Sequence, residues 1–172
     1  MVSPERLTYL FTTYHATLVR YVARRVGDQD WAKEIAQETF VRAMGQETIA
    51  SERSWLFAVA TNLVRDGARR DARQRGRLER LRVEAEEKSV VEPGPTSMER
   101  DEDRARARSA LAQLGERDRD ALLMREEGLD YEEIAAALEL SVGSVGTTLS
   151  RARRRLMNAY ESLEPAARRD NA

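Results

Sequence analysis

The chain has no cysteine and very little histidine, and each absence excludes a type of chemistry. Without cysteine among its 172 residues it has no disulfide, no thiol nucleophile and no cysteine-based metal site. The one histidine, His15, lies in an amphipathic N-terminal segment and has no second histidine to act with. No glycine-rich phosphate loop is present, and the scattered carboxylates fit helix surfaces. We therefore expect no enzymatic activity, no cofactor and no metal site.

Long hydrophobic runs are also missing. No segment is long or apolar enough to predict a membrane span. Residues 1–10 lack the basic and then apolar layout of a signal peptide. Together these features predict a cytoplasmic protein. The length allows one domain or two small ones.

The formal net charge of −1 conceals a separation of charge along the chain. Arginines are dense between positions 65 and 82, whereas positions 83–103 are strongly acidic. A near-neutral total can hide a nucleic-acid-binding surface when charge clusters in this way. Lysine occurs only at positions 33 and 88, and arginine is the cation whose planar fork suits phosphate recognition.

Helical periodicity dominates the pattern of apolar residues. Ser3 and Pro4 predict the start of a first helix and Gly27 predicts its end. A second helix is predicted from about Asp30 to Met44, and a third begins near Ser51 and continues into the arginine-rich run. The fold class is therefore all-α.

An acidic stretch divides the chain into two parts. Residues 83–97 hold two of the four prolines and show no apolar period, which predicts a flexible linker. Small helical domains are predicted on either side, over residues 1–82 and 98–163, with a frayed tail at 164–172. We expect the two domains to move independently unless a partner clamps them, and a protease to cut the linker first.

The second domain ends in a predicted helix-turn-helix. Asp130 and Glu133 have the spacing of a capping box, Glu139 and Leu140 form a tight turn, and Ser141 can cap the following helix. One face of that helix is apolar, and the other carries hydroxyls and arginines. Such a helix can lie in a DNA major groove. From these residues alone, an ordinary helical hairpin with a solvated basic face is the alternative.

Three separated motifs resemble one protein family in its own order. AKEIAQETFVRAM (32–44) resembles a core-polymerase-binding helix, and WLFAVATNLVRDGARR (55–70) resembles a helix that binds the promoter −10 element. Residues 111–156 resemble a −35-binding domain. The family is the extracytoplasmic-function (ECF) group of bacterial sigma factors, which direct RNA polymerase to promoters. The resemblance implies a transcription initiation factor controlled by an anti-sigma factor, often membrane-anchored, in a stress response.

The resemblance also assigns the partners and the surfaces that meet them. The partners are core RNA polymerase, through its β′ clamp helices and β flap, and promoter DNA. The implied core-binding face comprises Glu34, Gln37, Glu38 and Val41, which the pattern alone would leave as a solvated face. The implied −10 contacts are Trp55, Asn62, Arg65, Asp66, Arg69, Arg70 and Arg73, with further base readers in the loop at about 45–53. The implied −35 contacts are Ser141, Ser144, Thr147, Thr148, Arg151, Arg154 and Arg155.

Part of the −10 assignment also follows from the residues. An aromatic side chain, an amide and a row of guanidiniums on one face of the helix suit melted single-stranded DNA, although Trp55 fits the core equally well.

The sequence departs from the family at Gly146 and Thr148, where basic residues are usual, and at Thr61 and Gly67. These departures put the strength of −35 readout in question.

Two other functions compete with the sigma-factor interpretation. A stand-alone helix-turn-helix transcriptional regulator would leave the N-terminal domain unexplained. A sigma-like decoy that sequesters an anti-sigma factor would need no DNA surface, which the arginines between positions 65 and 82 argue against.

Overall fold

The computed structural model describes residues 1–78 and 98–163, and these residues form helices without any strand. The helices are α1 (Pro4–Val26), α2 (Gln29–Met44), α3 (Glu52–Leu78), α4 (Met98–Ala112), α5 (Glu116–Glu126), α6 (Tyr131–Leu138) and α7 (Val142–Ser162). The predicted all-α class is confirmed. The predicted linker at 83–97 and the tail at 164–172 lie outside the described residues.

Local sequence sets the helix ends close to the predicted positions. The Ser3 side chain accepts a hydrogen bond from the Arg6 backbone N–H, with Pro4 in the first turn. Gly27 ends α1 with a φ of 77°, a left-handed conformation that glycine adopts without steric cost. Asp28 then caps α2 by accepting hydrogen bonds from two backbone N–H groups. Because both caps lie at one junction, the chain turns sharply between α1 and α2.

Helices α1, α2 and α3 pack around an aromatic core. The Tyr21 ring lies 5.0 Å from that of Phe57 between centroids, and both side chains are fully buried. The Tyr21 hydroxyl lies 2.7 Å from Thr61 Oγ1, and burial raises the pKa of Tyr21 above its ordinary range. Thr61, one of the departures from the family pattern, is therefore a buried partner of Tyr21 rather than a surface residue.

The predicted helix-turn-helix is present as α6 and α7. The Asp130 side chain accepts from the Glu133 backbone N–H at 2.8 Å, and the Glu133 side chain accepts from the Asp130 N–H at 2.9 Å, so the predicted capping box is confirmed. Glu139 ends α6 at a φ of 54°, and the Leu140 N–H donates to the Ala135 carbonyl. The left-handed conformation of Glu139 and the hydrogen bond from Leu140 hold the turn between the two helices in a defined geometry.

The two helical parts pack against each other. Helix α1 contacts α5, and α3 contacts α6, so one continuous set of buried apolar residues runs through both parts. The two parts are therefore in contact in this conformation, and the expectation that they move independently stays a prediction. The contacts are ion pairs and apolar contacts between residues far apart in sequence, which local patterns do not reveal.

Two helical glycines have different surroundings, so their replacement by alanine is expected to have different effects on stability. A Cβ at Gly146 would lie 3.6 Å from Tyr131, an ordinary contact, so Gly146→Ala is expected to raise the free energy of unfolding by about 1 kcal/mol through helix propensity. A Cβ at Gly67 would lie 2.8 Å from Cζ2 of the Trp31 ring, so Gly67→Ala is expected to give no such gain. Urea denaturation of both variants measures the difference, and equal gains would contradict the close approach of Trp31.

Candidate functional site

The predicted core-binding residues form an exposed face of α2. Glu34, Gln37, Glu38 and Val41 are all exposed, and a buried stripe lies behind them on the same helix. Arg42 Nε donates to Glu38 at 3.1 Å, one turn further along. Spacings of three and four residues keep the four side chains together. The face is therefore free to meet a partner in this conformation.

An apolar rim of Phe11, Val41 and Met44 accompanies this face, and of these residues the sequence predicted only Val41 as part of a surface. Phe11 is 46% exposed, and its ring stacks on His15 with centroids 4.4 Å apart. Val41 and Met44 on α2 are also about half exposed. Phe11 lies at the edge of the buried stripe of α1. Aromatic and Met side chains are enriched in protein-binding surfaces, so this rim is suited to contact with another protein.

The predicted −10 residues on α3 differ in their availability. Asn62, Asp66, Arg69 and Arg70 are exposed, and Arg69 lies 3.9 Å from Asp66. The Arg73 side chain lies outside the described residues.

Two of the predicted −10 residues are already engaged within the protein. Trp55 is half-buried and packs against the core, the second of its two interpretations. Arg65 Nη2 donates to Asp120 Oδ2 at 2.9 Å, across the boundary between the two parts. The loop proposed for base capture is shorter than predicted because α3 begins at Glu52, which places Arg53 on the helix.

The predicted −35 residues lie along α7. Ser141, Thr147, Arg154 and Arg155 are exposed, whereas Ser144 and Arg151 are half-buried. Ser141 stands at the N-cap position, but its side chain makes no capping hydrogen bond. The Ser144 hydroxyl donates to the Ser141 carbonyl at 2.8 Å.

The prediction that Thr148 lies on the exposed face of α7 is wrong. Its side chain is 5% exposed. Thr148 follows Val145 by three residues and precedes Ala152 by four, so helical geometry places it in the apolar stripe with them. A buried hydroxyl cannot contact DNA in this conformation, which removes Thr148 from the available contacts.

Asp118 on α5 holds two of the α7 arginines, a role that no sequence motif predicted. Arg151 makes paired hydrogen bonds to the Asp118 carboxylate, and Arg155 Nη1 donates to Asp118 Oδ2 at 2.7 Å. The hydrogen bond from Arg151 is the main cause that lowers the pKa of Asp118, and Arg155 adds to it. Asp118 is buried, so these bonds fix α5 against the recognition helix. An Asp in the first turn of a helix is common, which is why the sequence did not reveal this role.

The described residues 1–78 and 98–163 contain no His, Asp and Glu cluster suited to a metal ion. Among the helices that the structure describes, none has the length and apolarity needed to cross a membrane. The molecule thus presents an acidic face with an apolar rim, an arginine-bearing helix and a helix-turn-helix. These features define an all-α protein that contains a helix-turn-helix and has an acidic and an arginine-bearing surface of different chemistry.

Family models match both parts of the chain. The model described as "Sigma-70 region 2" matches residues 10–74, and "Sigma-70, region 4" matches residues 104–156. The RNA polymerase sigma factor YlaC of Bacillus subtilis is 31% identical over 149 residues, covering 84% of this chain and 86% of YlaC. The ferric citrate uptake sigma factor FecI of Escherichia coli is 32% identical over 151 residues, covering 83% of this chain and 84% of FecI. The chain belongs to the ECF group of the sigma-70 family, the RNA polymerase sigma factors of transcription initiation.

Solved structures share the fold over nearly the whole chain. The sigma factor RpoE of Bartonella quintana, in complex with the anti-sigma factor NepR, has a TM-score of 0.66 at 19% identity, covering 93% of this chain and 99% of RpoE. CnrH, in complex with the cytosolic domain of CnrY, has a TM-score of 0.67 at 24% identity, covering 94% of this chain and 92% of CnrH. The fold of the chain is thus that of known sigma factors.

Proposed function

We propose that the chain binds core RNA polymerase through the exposed α2 face and directs it to promoters through α3 and α7. The main support is that each surface lies within the family region that matches it. The region 2 match contains the acidic face and the arginine-bearing helix, and the region 4 match contains the helix-turn-helix. A stand-alone regulator leaves the first match unexplained. The polymerase performs the chemistry, and this chain supplies promoter recognition in the cytoplasm without enzymatic activity of its own.

The three surfaces have different chemical roles in this proposal. Glu34, Gln37, Glu38 and Val41 meet the β′ clamp helices, where carboxylates complement a basic partner. On α3, Asn62, Asp66 and the arginines contact melted −10 DNA. On α7, Ser141, Ser144 and Thr147 reach the −35 element, and Arg151, Arg154 and Arg155 hold its phosphates. The −35 contacts are fewer than the family pattern implies, because Gly146 has no side chain and Thr148 is buried.

Transcription in vitro on a library of genomic promoter fragments tests the proposal. Core polymerase with the chain is expected to produce transcripts with defined start sites, and core polymerase alone is not. The upstream sequences of the active fragments then give the −10 and −35 elements. Undirected initiation with the chain present would contradict the proposed function.

A protein inhibitor controls the chain in this proposal. RpoE and CnrH, whose folds resemble this one, are complexed with the anti-sigma factor NepR and with CnrY. The apolar rim at Phe11, Val41 and Met44 offers a surface that an amphipathic helix of such a partner could cover. Coexpression with the product of the adjacent gene is expected to block core binding competitively. Two results together would contradict control by an inhibitor. The chain would be recovered from its own cells with polymerase as the one bound protein, and its activity would follow its abundance alone.

A further inference from the structure

A cleft lies between the C-terminal end of α1 and helices α4 and α5. It has two lobes of about 330 and 550 Å³, and both lobes are lined by Arg24, Gly27, Arg108 and Leu111, so they form one continuous space. Volumes of this size are typical of sites for small organic molecules. The α1 wall belongs to the region 2 match and the opposite wall to the region 4 match. A molecule bound in the cleft would therefore contact both parts of the chain.

The charged residues of this cleft all have the same sign. None of the described residues that line it is an Asp or a Glu. Five arginines line it, namely Arg24 and Arg25 of α1, Arg104 and Arg108 of α4, and Arg119 of α5. A concave surface lined by charges of one sign concentrates ions of the opposite sign. The cleft is therefore suited to an anion.

Three of these arginines have partners within the chain. Arg25 pairs with the buried Asp120, and Arg24 lies 3.3 Å from the Glu127 carboxylate. Both also stand in the last turn of α1, where a cation complements the helix dipole. Arg104 lies 3.8 Å from a neighbouring carboxylate in an exposed pair, which is a weak type of contact. Arg24 and Arg25 thus have a structural explanation that requires no ligand.

Arg108 and Arg119 have no such explanation. Within residues 1–78 and 98–163, neither forms an ion pair with a carboxylate, and the buried Arg119 Nε has no hydrogen-bond partner. Burial lowers the pKa of Arg119, and the positive charge of Arg25 lowers it further. The attraction of Asp120 and Glu116 offsets this only in part. Since buried polar groups in proteins normally have partners, an anion beside Arg119 would supply the contact that the chain itself does not.

We propose that this cleft binds a small organic phosphate of the nucleoside diphosphate class, and that Arg108 and Arg119 hold its two phosphates. A guanidinium matches phosphate oxygens with paired hydrogen bonds, and two adjacent phosphates carry the negative charge that two such groups require. Ala23, Val26 and Leu111 give the cleft an apolar wall for the rest of the ligand. Such a site adds a small-molecule input to promoter recognition.

Titration calorimetry of the full chain with ADP tests the proposal. ADP is expected to bind saturably at millimolar concentration, inorganic pyrophosphate more weakly, and adenosine not at all. The affinity for ADP is expected to fall as the salt concentration rises, because the contacts are ionic. The melting temperature of the chain is expected to rise with ADP concentration, since the ligand binds the folded state.

Substitutions locate the binding in the cleft. Arg108→Gln and Arg119→Gln each remove charge-assisted hydrogen bonds to phosphate, so each is expected to weaken ADP binding about tenfold. Arg119→Gln is also expected to keep or raise the melting temperature of the ligand-free chain, because it removes a charge that Arg25 repels. Arg117→Gln makes the same change at an exposed position of α5 that does not line the cleft, and is expected to bind ADP with native affinity.

Several results would overturn the inference. No binding of ADP at millimolar concentration, or native affinity in the Arg108→Gln and Arg119→Gln variants, would remove the site. Pyrophosphate binding as tight as that of ADP would exclude the nucleoside diphosphate class. An equal loss with Arg117→Gln would show that overall charge decides the affinity. The experiment uses neither polymerase nor promoter DNA, so its failure is distinct from failure of the proposed function, which appears as absence of directed transcripts.

Discussion

The double variant Gln37→Ala/Glu38→Arg is expected to bind core RNA polymerase roughly a hundredfold more weakly than the native chain while keeping its fold. Both side chains are exposed on α2, so neither change touches the buried stripe behind them. Replacing a carboxylate by a guanidinium at a surface that complements a basic partner turns attraction into repulsion. Titration of labelled chain with core polymerase measures the loss, and circular dichroism measures the helical content.

A charge change elsewhere serves as the matched control for this variant. Glu126→Arg makes the same change at an exposed position of α5, outside the proposed core-binding face, and is expected to leave core affinity close to native. Undiminished binding of the folded double variant would remove the α2 face from the core-binding surface. Equal losses in the double variant and the control would show that overall charge, rather than this face, decides the affinity.

Replacing Arg151 and Arg155 together by alanine is expected to lower both stability and promoter affinity, by two separable mechanisms. The two arginines leave Asp118 as a buried carboxylate with no partner, which lowers the melting temperature by roughly 5 to 10 °C. Adding Asp118→Asn removes the buried charge and is expected to restore most of that stability. It returns no cation to the DNA surface, so promoter affinity of the holoenzyme is expected to stay about tenfold below native.

The stabilising contribution of Asp118 is expected to depend on pH. In the native chain the pKa of Asp118 lies below its ordinary value because Arg151 donates hydrogen bonds to the ionised form. Its stabilising contribution is therefore fully present above the ordinary pKa and is lost as the pH falls through the lowered one. Without the arginines, burial favours the protonated form, so the stability gap between the native chain and the double variant is expected to shrink on acidification. Thermal unfolding from neutral pH to pH about 3 measures the difference in stability between the native chain and the double variant. A difference that stays constant with pH would contradict the role of Asp118. Recovery of promoter affinity in the triple variant, which combines the double variant with Asp118→Asn, would contradict the role of the arginines at the DNA.

Local features of the sequence predicted local structure well. The Asp130–Glu133 capping box, the Gly27 stop and the exposed face of α2 all depend on spacings within a few residues, and each is present in the structure. Thr148 was assigned to the wrong face because its hydroxyl group suggested the polar face of α7, whereas its position places it in the apolar stripe. Thr61 is similar: its role follows from Tyr21, a neighbour that the α3 sequence does not contain.

The contacts between the two parts could not be predicted from the sequence. Arg65 and Asp120 are far apart along the chain, and both stand in charged stretches that look like solvated helix surface. Only the packing of α1 against α5 and of α3 against α6 brings them together. The same holds for Arg53, which was placed in a loop and instead donates to backbone carbonyls of the second part. Long-range pairing of this kind depends on the tertiary arrangement rather than on local pattern.

The central claim is that this chain brings core polymerase to promoters and helps to open the DNA. Permanganate mapping of unpaired thymines on an active promoter fragment tests it most directly. With core polymerase and the chain together, reactive thymines are expected in a short segment at the −10 element and start site, in complexes that resist heparin. Core polymerase alone and the chain alone are expected to give none. The same reactivity without the chain, or none with both present, would contradict the account.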